Sequence, residues 1–169
     1  MRHWVDFTPE QLLAHVEEMV STTGNNIYQT TQGLKEAVWR TLICNITHTG
    51  DEAEPSYGRY FDAYMEYTSS PALTTDTNTL SMATQFGRTV DSTSCGRPIG
   101  ITKQGYVCSL QNGMQHGDVV AVLRGGRVPH VLRPTGDGKY HLLGEAYVQG
   151  LMKGEALLLS DLSEEIRLV

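Results

Sequence analysis

The second half of the chain alternates short apolar runs with turn residues, which is the pattern of antiparallel strands. Each run is bounded by glycine, proline or polar residues, and the runs occupy 119–123, 128–132, 140–143 and 147–148. Gly125 and Gly126 accept the positive φ that tight turns need, so the first two runs should pair as a β-hairpin. Residues 99–110, centred on Gly105, have the pattern of a further hairpin. The spacing predicts a small antiparallel sheet that curls like a barrel over residues 97–160.

The first half shows the three- to four-residue apolar period of amphipathic helices. Thr8 and Pro9 form a helix start, with the hydroxyl as N-cap and the proline at the first helical position. The period predicts one helix ending at 21–24, a second from 32 to 46, a phenol-rich third from 57 to 65 and a short fourth at 80–86. Residues 68–79 are rich in Ser and Thr and nearly uncharged, so we expect a mobile loop there.

Size and charge restrict the class of protein. The chain has 169 residues, 40% of them hydrophobic, which is enough for a single domain over 1–169 with its own core. Its net charge is −6 and it contains no run of Lys or Arg, so it has no basic surface with which to meet a phosphate backbone. We therefore expect no nucleic-acid partner.

The spacing of cysteine and histidine gives no sign of a disulfide framework or a metal site. The three cysteines, Cys44, Cys95 and Cys108, are an odd set without CxxC spacing, and the histidines lack helical pairing or HxH spacing. No apolar stretch reaches the roughly 18 residues of a membrane helix, and the chain does not open with an apolar signal core. We expect a cytoplasmic protein with no metal, no cofactor and no membrane partner.

A set of short motifs follows a fixed order between residues 39 and 157. They are Trp39-Arg40-Thr41-Leu42, Thr102-Lys103-Gln104-Gly105-Tyr106, Gly117-Asp118-Val119-Val120, Gly125-Gly126-Arg127-Val128-Pro129, Leu132-Arg133-Pro134, Gly144-Glu145, Tyr147-Val148, Gly150-Leu151-Met152 and Gly154-Glu155. In this order they resemble the C-terminal region of fungal heterokaryon-incompatibility (HET) proteins, which follows their death-inducing domain. The resemblance implies a free-standing relative of that region without the HET domain, so the family's cell-death activity is not carried over.

The chain departs from the family at three positions. The family usually carries an aromatic residue where His130 stands, and a Cys and a His where Ala146 and Gln149 stand. Any role of that Cys and His is absent from this chain, and the resemblance supplies no catalytic residues. His130 is instead a polar residue at a sheet position expected to be apolar, which makes this chain's own residues the candidates for catalysis.

His130 is the first candidate for catalysis. Strand alternation places it on one face with Val128 and Leu132, so its imidazole is expected in apolar surroundings suited to acid–base chemistry. The alternative is a hydrogen-bonded core histidine, which is the commoner role of a buried imidazole.

Arg133 and Tyr147 are the other candidate catalytic residues. The planar guanidinium of Arg133 is suited to holding a carboxylate or enolate oxygen, or else to an ion pair with Glu145 or Asp118. Asp118, between a glycine and an apolar strand, has the position of a turn residue that accepts backbone N–H groups. Tyr147 is expected to converge with His130 if the sheet curls.

Four further residues are predicted to bind a substrate. Tyr57, Tyr60 and Tyr64 form a phenolic stripe on one helix, which could line a cavity for a flat organic molecule or could pack on the sheet with the hydroxyls in solvent. His141, on the strand beside His130, is either a pocket residue or a rim residue. Cys108 is either a nucleophile, if His116 lies nearby, or a buried, inert thiol, which is the commoner case.

These patterns predict an α+β fold with N-terminal helices packed on a small antiparallel barrel-like sheet. Two functions stay open. The first is a small cofactor-independent enzyme of secondary metabolism, a cyclase, isomerase or dehydratase, which acts on a small apolar organic molecule through His130, Tyr147 and Arg133. The second is a non-catalytic module that binds a ligand or a protein in heterokaryon-incompatibility signalling. A homo-oligomer is compatible with either function.

Overall fold

The computed structural model describes residues 9–24, 27–94, 97–158 and 165–169. Thr8, the predicted N-cap, and Cys95 lie outside the described residues. Helices come first along the described chain and two small sheets follow, so the predicted α+β class is confirmed.

All four predicted helices are present, but their bounds differ from the predicted ones, and the predicted short fourth helix extends from 77 to 94. In the described chain they are α1 (Pro9–Thr23), α2 (Thr31–Leu42), α3 (Gly58–Ser69) and α4 (Thr77–Ser94), with a 3₁₀ turn at Pro55–Tyr57 before α3. Thr30 caps α2, since its hydroxyl accepts a hydrogen bond from the Gly33 N–H at 2.9 Å. α2 ends earlier than predicted because Cys44 and Asn45 take left-handed φ values of +48° and +59°, which no helix continues.

The loop predicted at 68–79 is shorter and spans 70–76. Thr68 and Ser69 stay within α3, because their hydroxyls donate to the carbonyl of Met65 at 3.1 and 2.7 Å. Asp76 caps α4 by accepting the Thr79 N–H at 2.7 Å, so this helix begins earlier than predicted. The predicted loop bounds were wrong because Ser and Thr side chains can stay within a helix when their hydroxyls donate to a carbonyl in the preceding turn.

Seven short strands occur in the described chain. They are β1 (Ile99–Ile101), β2 (Val107–Ser109), β3 (Val119–Ala121), β4 (His130–Pro134), β5 (Lys139–Glu145), β6 (Tyr147–Val148) and β7 (Arg167–Leu168). Both predicted hairpins are confirmed, because β1 pairs with β2 and β3 pairs with β4 in antiparallel fashion. β7 differs from the other strands, since it joins β5 in parallel.

The strands form two sheets rather than one curled sheet. The first has the order β1-β2-β6 and the second has the order β3-β4-β5-β7. The chain changes sheet at Ala146, because Glu145 pairs with His130 of β4 whereas Tyr147 pairs with Ser109 of β2. Over the described residues the strands therefore do not close into a barrel.

Two apolar cores lie on opposite sides of β2, because successive strand residues point in opposite directions. Val107 belongs to the larger core with the helices, and Cys108 belongs to the smaller core between the sheets. Phe61 of α3 and Phe86 of α4 are fully buried in the larger core with ring centroids 5.5 Å apart. The first sheet is thus packed on the helices through one face, and a cleft lies at the edge of this junction.

Candidate functional site

The cleft lies between the segment that follows α2 and the segment that follows β6. Its volume is about 310 Å³. One wall consists of residues 45–55 and the other of residues 147–155, so the two walls come from segments that are far apart in the sequence. The charged and hydrogen-bonding side chains in the lining are Arg40, Asn45, Glu52, Glu54, Tyr147, Gln149, Lys153 and Glu155. This lining suits a polar ligand better than an apolar one.

Arg40 is a buried charge in the wall of the cleft, with only 8% of its surface exposed. Its Nε and Nη2 atoms lie 2.9 and 2.8 Å from Oε1 of Glu36, one helical turn earlier. Its Nη1 donates to the side-chain oxygen of Asn45 and to the carbonyl of Ala53. The guanidinium carbon is 4.4 Å from a ring centroid of Trp39. Arg40 therefore fixes the loop after α2 against the helix.

Glu52 is presented to the cleft by a closed turn. The Ala53 N–H donates to the Asn45 carbonyl at 2.9 Å, and the Asn45 side-chain amide donates to Glu52 Oε1 at 3.1 Å. The ammonium group of Lys153, from the opposite wall, donates to the same carboxylate oxygen. The hydrogen bond from Lys153 is the main reason why the pKa of Glu52 lies below its usual range.

Tyr147 is the predicted catalytic residue that faces this cleft. β6 places it opposite Ser109, and its phenol is largely buried. The hydroxyl donates to Oε1 of Gln149. Burial raises the pKa of the phenol well above its usual value, so Tyr147 stays protonated and acts as a hydrogen-bond donor at neutral pH.

His130 lies in the second sheet and does not line the cleft. Its ring packs against the predicted Gly-Gly turn, since a Cβ added to Gly126 would lie 3.2 Å from His130 Cε1. The Nδ1 atom is buried, and no described residue provides it with a hydrogen-bond partner. The predicted alternation of β4 was wrong here: Val131 and Leu132 are both buried because the pairing with β5 shifts register between them.

Arg133 forms an ion pair, as one of its two predicted roles required. Its Nε and Nη2 atoms donate to the two carboxylate oxygens of Asp118 at 2.8 Å each, and Nη2 also donates to the Gly113 carbonyl at 2.8 Å. Asp118 also accepts the Gln115 N–H at 2.7 Å, which confirms its predicted turn role. The hydrogen bond from Arg133 is the main reason why the pKa of Asp118 lies below its usual range. Arg133 thus joins the end of β4 to the turn before β3.

The predicted substrate-binding tyrosines pack between helices. Tyr57 stacks on Tyr60 with ring centroids 4.3 Å apart, and the Tyr57 hydroxyl lies 3.1 Å from Nδ1 of His48. Tyr64 lies 5.4 Å from Phe86 of α4, centroid to centroid. The alternative that placed this helix on the sheet was wrong, because α3 packs mainly on α4.

His141 and Cys108 also lie away from the cleft lining. His141 is exposed on β5, with Nδ1 3.0 Å from the Val169 carbonyl beside β7. Cys108 is buried and donates through Sγ to the Gly100 carbonyl at 3.4 Å. Burial raises the pKa of this thiol to about 12, so it is protonated and unreactive at neutral pH.

The described residues contain neither a metal cluster nor a membrane-spanning helix. No group of three or more His, Cys, Asp or Glu side chains there is arranged to hold a metal ion. None of the described helices is both long enough and apolar enough to cross a lipid bilayer.

Comparison with known proteins identifies the family. The Het-6 beta-barrel domain profile matches residues 14–169 of this chain. The chain belongs to the Het-6 β-barrel domain family. Heterokaryon incompatibility protein 6, OR allele, from Neurospora crassa is 42% identical over 67 residues, which are 38% of this chain and 9% of that protein. The match therefore spans a small part of the relative's length. No solved structure matches the chain.

Residues from four of the motifs quoted in the sequence analysis meet at the cleft. Arg40 comes from the first motif, Tyr147 from the seventh, and Met152 and Glu155 from the last two. Gln149 lies among them. Residues from both halves of the chain thus come together at the cleft.

Sequence reasoning missed several charged residues of the cleft, among them Arg40, Glu52 and Lys153. Arg40 did leave a signal, because it stands inside the apolar stretch of α2. Glu52 and Lys153 left none, since isolated charged residues in turns are usually solvated. Only the packing of residues 45–55 against residues 147–155 brings them into contact.

Proposed function

We propose that this chain is a non-catalytic recognition module, related to heterokaryon-incompatibility signalling, that binds its ligand in the polar cleft. The observation that carries this proposal is the separation of the candidate catalytic groups. His130 packs under a hairpin turn, the guanidinium of Arg133 is committed to Asp118, and Tyr147 faces the cleft apart from both. Catalysis by these residues requires them to converge, whereas recognition requires only a shaped, polar and fixed surface.

The character of the cleft supports recognition further. Arg40 and Asn45 hold one wall rigid through buried hydrogen bonds, and rigid polar groups bind with little ordering cost. The name of the Neurospora crassa relative supplies the biological context, because that protein is a heterokaryon incompatibility protein. The similarity to this relative covers only a small part of its length, so that context is part of the proposal.

Tyr147 favours a second candidate, the cofactor-independent cyclase, isomerase or dehydratase of secondary metabolism. Its phenol faces a cleft and stays protonated at neutral pH, which suits a proton donor to a developing oxyanion. Against this candidate, the lining of the cleft is polar, whereas the predicted substrate is apolar.

Deletion of the gene in its fungal host separates the two functions. The recognition module predicts altered survival of fused cells when strains are paired, an unchanged metabolite profile, and no compound consumed when purified protein is added to an extract of the deletion strain. An accumulated compound that the protein alone converts would overturn the recognition module in favour of the enzyme.

Complementation with point variants connects the result to the cleft. Tyr147→Phe removes the hydroxyl that faces the cleft, and Tyr67→Phe is the matched control because Tyr67 is 41% exposed on α3. The recognition module predicts that Tyr67→Phe restores the pairing phenotype fully and that Tyr147→Phe restores it less well. If both folded variants restored the pairing phenotype equally, the proposal that the ligand binds in the cleft would be refuted.

A further inference from the structure

We propose that the cleft binds a basic side chain, Lys or Arg, of a partner peptide, and that Lys153 of this chain occupies the cation position until the partner displaces it. The inference rests on the proposed recognition function and names the chemical class of its ligand. It starts from a cation that is already seated in the cleft, the ammonium group of Lys153 on the carboxylate of Glu52.

The charges of the cleft favour a cation over an anion. The guanidinium of Arg40 is already paired with Glu36, and the ammonium of Lys153 is paired with Glu52. The carboxylates of Glu54 and Glu155, which share the lining, have no ion-pair partner among the described residues. A ligand that brings one positive charge therefore reduces the local excess of negative charge, whereas an anionic ligand increases it.

Lys153 is suited to displacement. Both side chains of the pair are largely exposed, 64% for Lys153 and 57% for Glu52, and exposed ion pairs contribute little to stability. The backbone around Lys153 is fixed independently, because the Leu151 N–H donates to the Val148 carbonyl at 3.0 Å and the Lys153 N–H donates to Glu155 at 2.6 Å. The ammonium group can thus leave Glu52 by rotation of its stem without unfolding the wall that carries it.

Glu52, in contrast, is held in place to receive a cation. The Asn45 amide donates to its carboxylate, and Arg40 holds Asn45 in turn. A bridge between Ile46 and Glu52 closes the turn behind it. This fixed carboxylate gives a cationic group an ion-pair partner in a cleft that Tyr147 also lines.

The size of the cleft is sufficient for a single side chain. Its volume of about 310 Å³ lies at the lower end of the range for small-molecule sites. One extended Lys or Arg side chain is compatible with that space, while the rest of a peptide would cross the surface between the two walls. The occupant is therefore a basic residue in an exposed, extended segment of a partner protein.

The test measures peptide binding to the whole chain by calorimetry at low salt. The probe is a blocked pentapeptide with arginine at its centre and glycine elsewhere, and the comparison peptides carry norleucine or glutamate at the centre. We expect binding of the arginine peptide only, with an affinity that falls as salt is added.

Lys153→Met is the decisive variant, because the direction of its effect on peptide affinity tests the inference. Loss of a positive charge from the cleft removes the resident competitor, so affinity for the arginine peptide should rise about two- to fivefold, the range expected for an exposed ion pair. Glu52→Gln should lower the affinity about fivefold or more. Lys139→Met is the matched control, because Lys139 forms a similar exposed pair with Asp137 in a turn of the second sheet and should leave the affinity unchanged.

Three results would overturn the inference. These are equal binding of the norleucine peptide, an unchanged or lower affinity in Lys153→Met, or no binding of the arginine peptide to either protein. Equal binding of the norleucine peptide would indicate an apolar ligand. None of the three results would by itself overturn the proposed recognition function, which is overturned instead if the protein converts a metabolite. A thermal unfolding curve of each variant keeps a folding defect from being mistaken for a loss of binding.

Discussion

Replacement of Tyr28 by Phe should weaken the junction beside the cleft by removing a single oxygen atom. The Tyr28 hydroxyl accepts a hydrogen bond from the Val107 N–H at 2.9 Å and donates to the Gln149 carbonyl at 3.0 Å. The Gln149 N–H also donates to the Val107 carbonyl at 3.0 Å. The phenol therefore takes the place of the next hydrogen bond between β2 and the segment after β6. In Tyr28→Phe, one N–H and one carbonyl lose their partner together.

The magnitude follows from burial. Val107 is fully buried, so its N–H has no access to water in the variant, and an unsatisfied buried group costs about 1–3 kcal/mol. Gln149 is half-buried and lines the open cleft, so its carbonyl can regain a hydrogen bond from water. We therefore expect the free energy of unfolding to fall by about 2 kcal/mol. For a chain of this length, that loss corresponds to a Tm lower by about 4–8 °C.

Urea unfolding followed by far-UV circular dichroism measures this change, and Tyr67→Phe serves as the control because its phenol is exposed. Amide hydrogen exchange provides a local measurement, since the Val107 N–H should exchange faster in Tyr28→Phe than in Tyr67→Phe. If the two variants unfold within about 0.5 kcal/mol of each other, the hydroxyl does not link the two segments and the argument fails.

Further predictions concern charge and burial. Burial raises the pKa values of Tyr28 and Tyr147, so in the folded chain these phenols keep a proton that they lose in the unfolded chain. The free energy of unfolding should therefore fall as the pH rises above about 10, and a Tm that stays constant through that range would contradict this prediction. Asp118 has a lowered pKa, so its contribution is present at neutral pH and is lost as pH falls below about 4; Asp118→Asn should flatten the acid side of a Tm–pH curve, and an unchanged acid side would refute it. His130→Phe removes a buried nitrogen without a partner among the described residues and should leave stability unchanged or raise it by about 1 kcal/mol; a clear loss in urea unfolding would show that the imidazole is needed.

Local features of the fold were predictable because they depend on short-range sequence. The helices follow from the apolar period, and the β3–β4 hairpin follows from a glycine at φ +83°, Gly125, between two apolar runs. The assignment of strands to sheets was not predictable in this way. Tyr147 lies two residues after Glu145, yet it pairs with Ser109 in the other sheet, and no local pattern specifies that partner.

The candidate site was predicted only in part for the same reason. Tyr147 was predicted as a strand residue expected to converge with His130, whereas Glu52 and Lys153 became significant only when two distant turns were placed face to face. His130 was over-interpreted, since the register shift in β4 breaks the alternation on which its predicted surroundings depended.

Arg40 links the architecture of the domain to its proposed function. A buried charge is costly compared with an apolar side chain, so the place of Arg40 on the inner side of α2 is not explained by stability alone. Its remaining hydrogen bonds go to Asn45 and Ala53, the two residues that close the turn around Glu52. The buried guanidinium of Arg40 thus holds the loop that carries Glu52, whose carboxylate is bonded to Lys153. A helix residue from one end of the chain thereby positions the group that we expect a basic partner residue to contact.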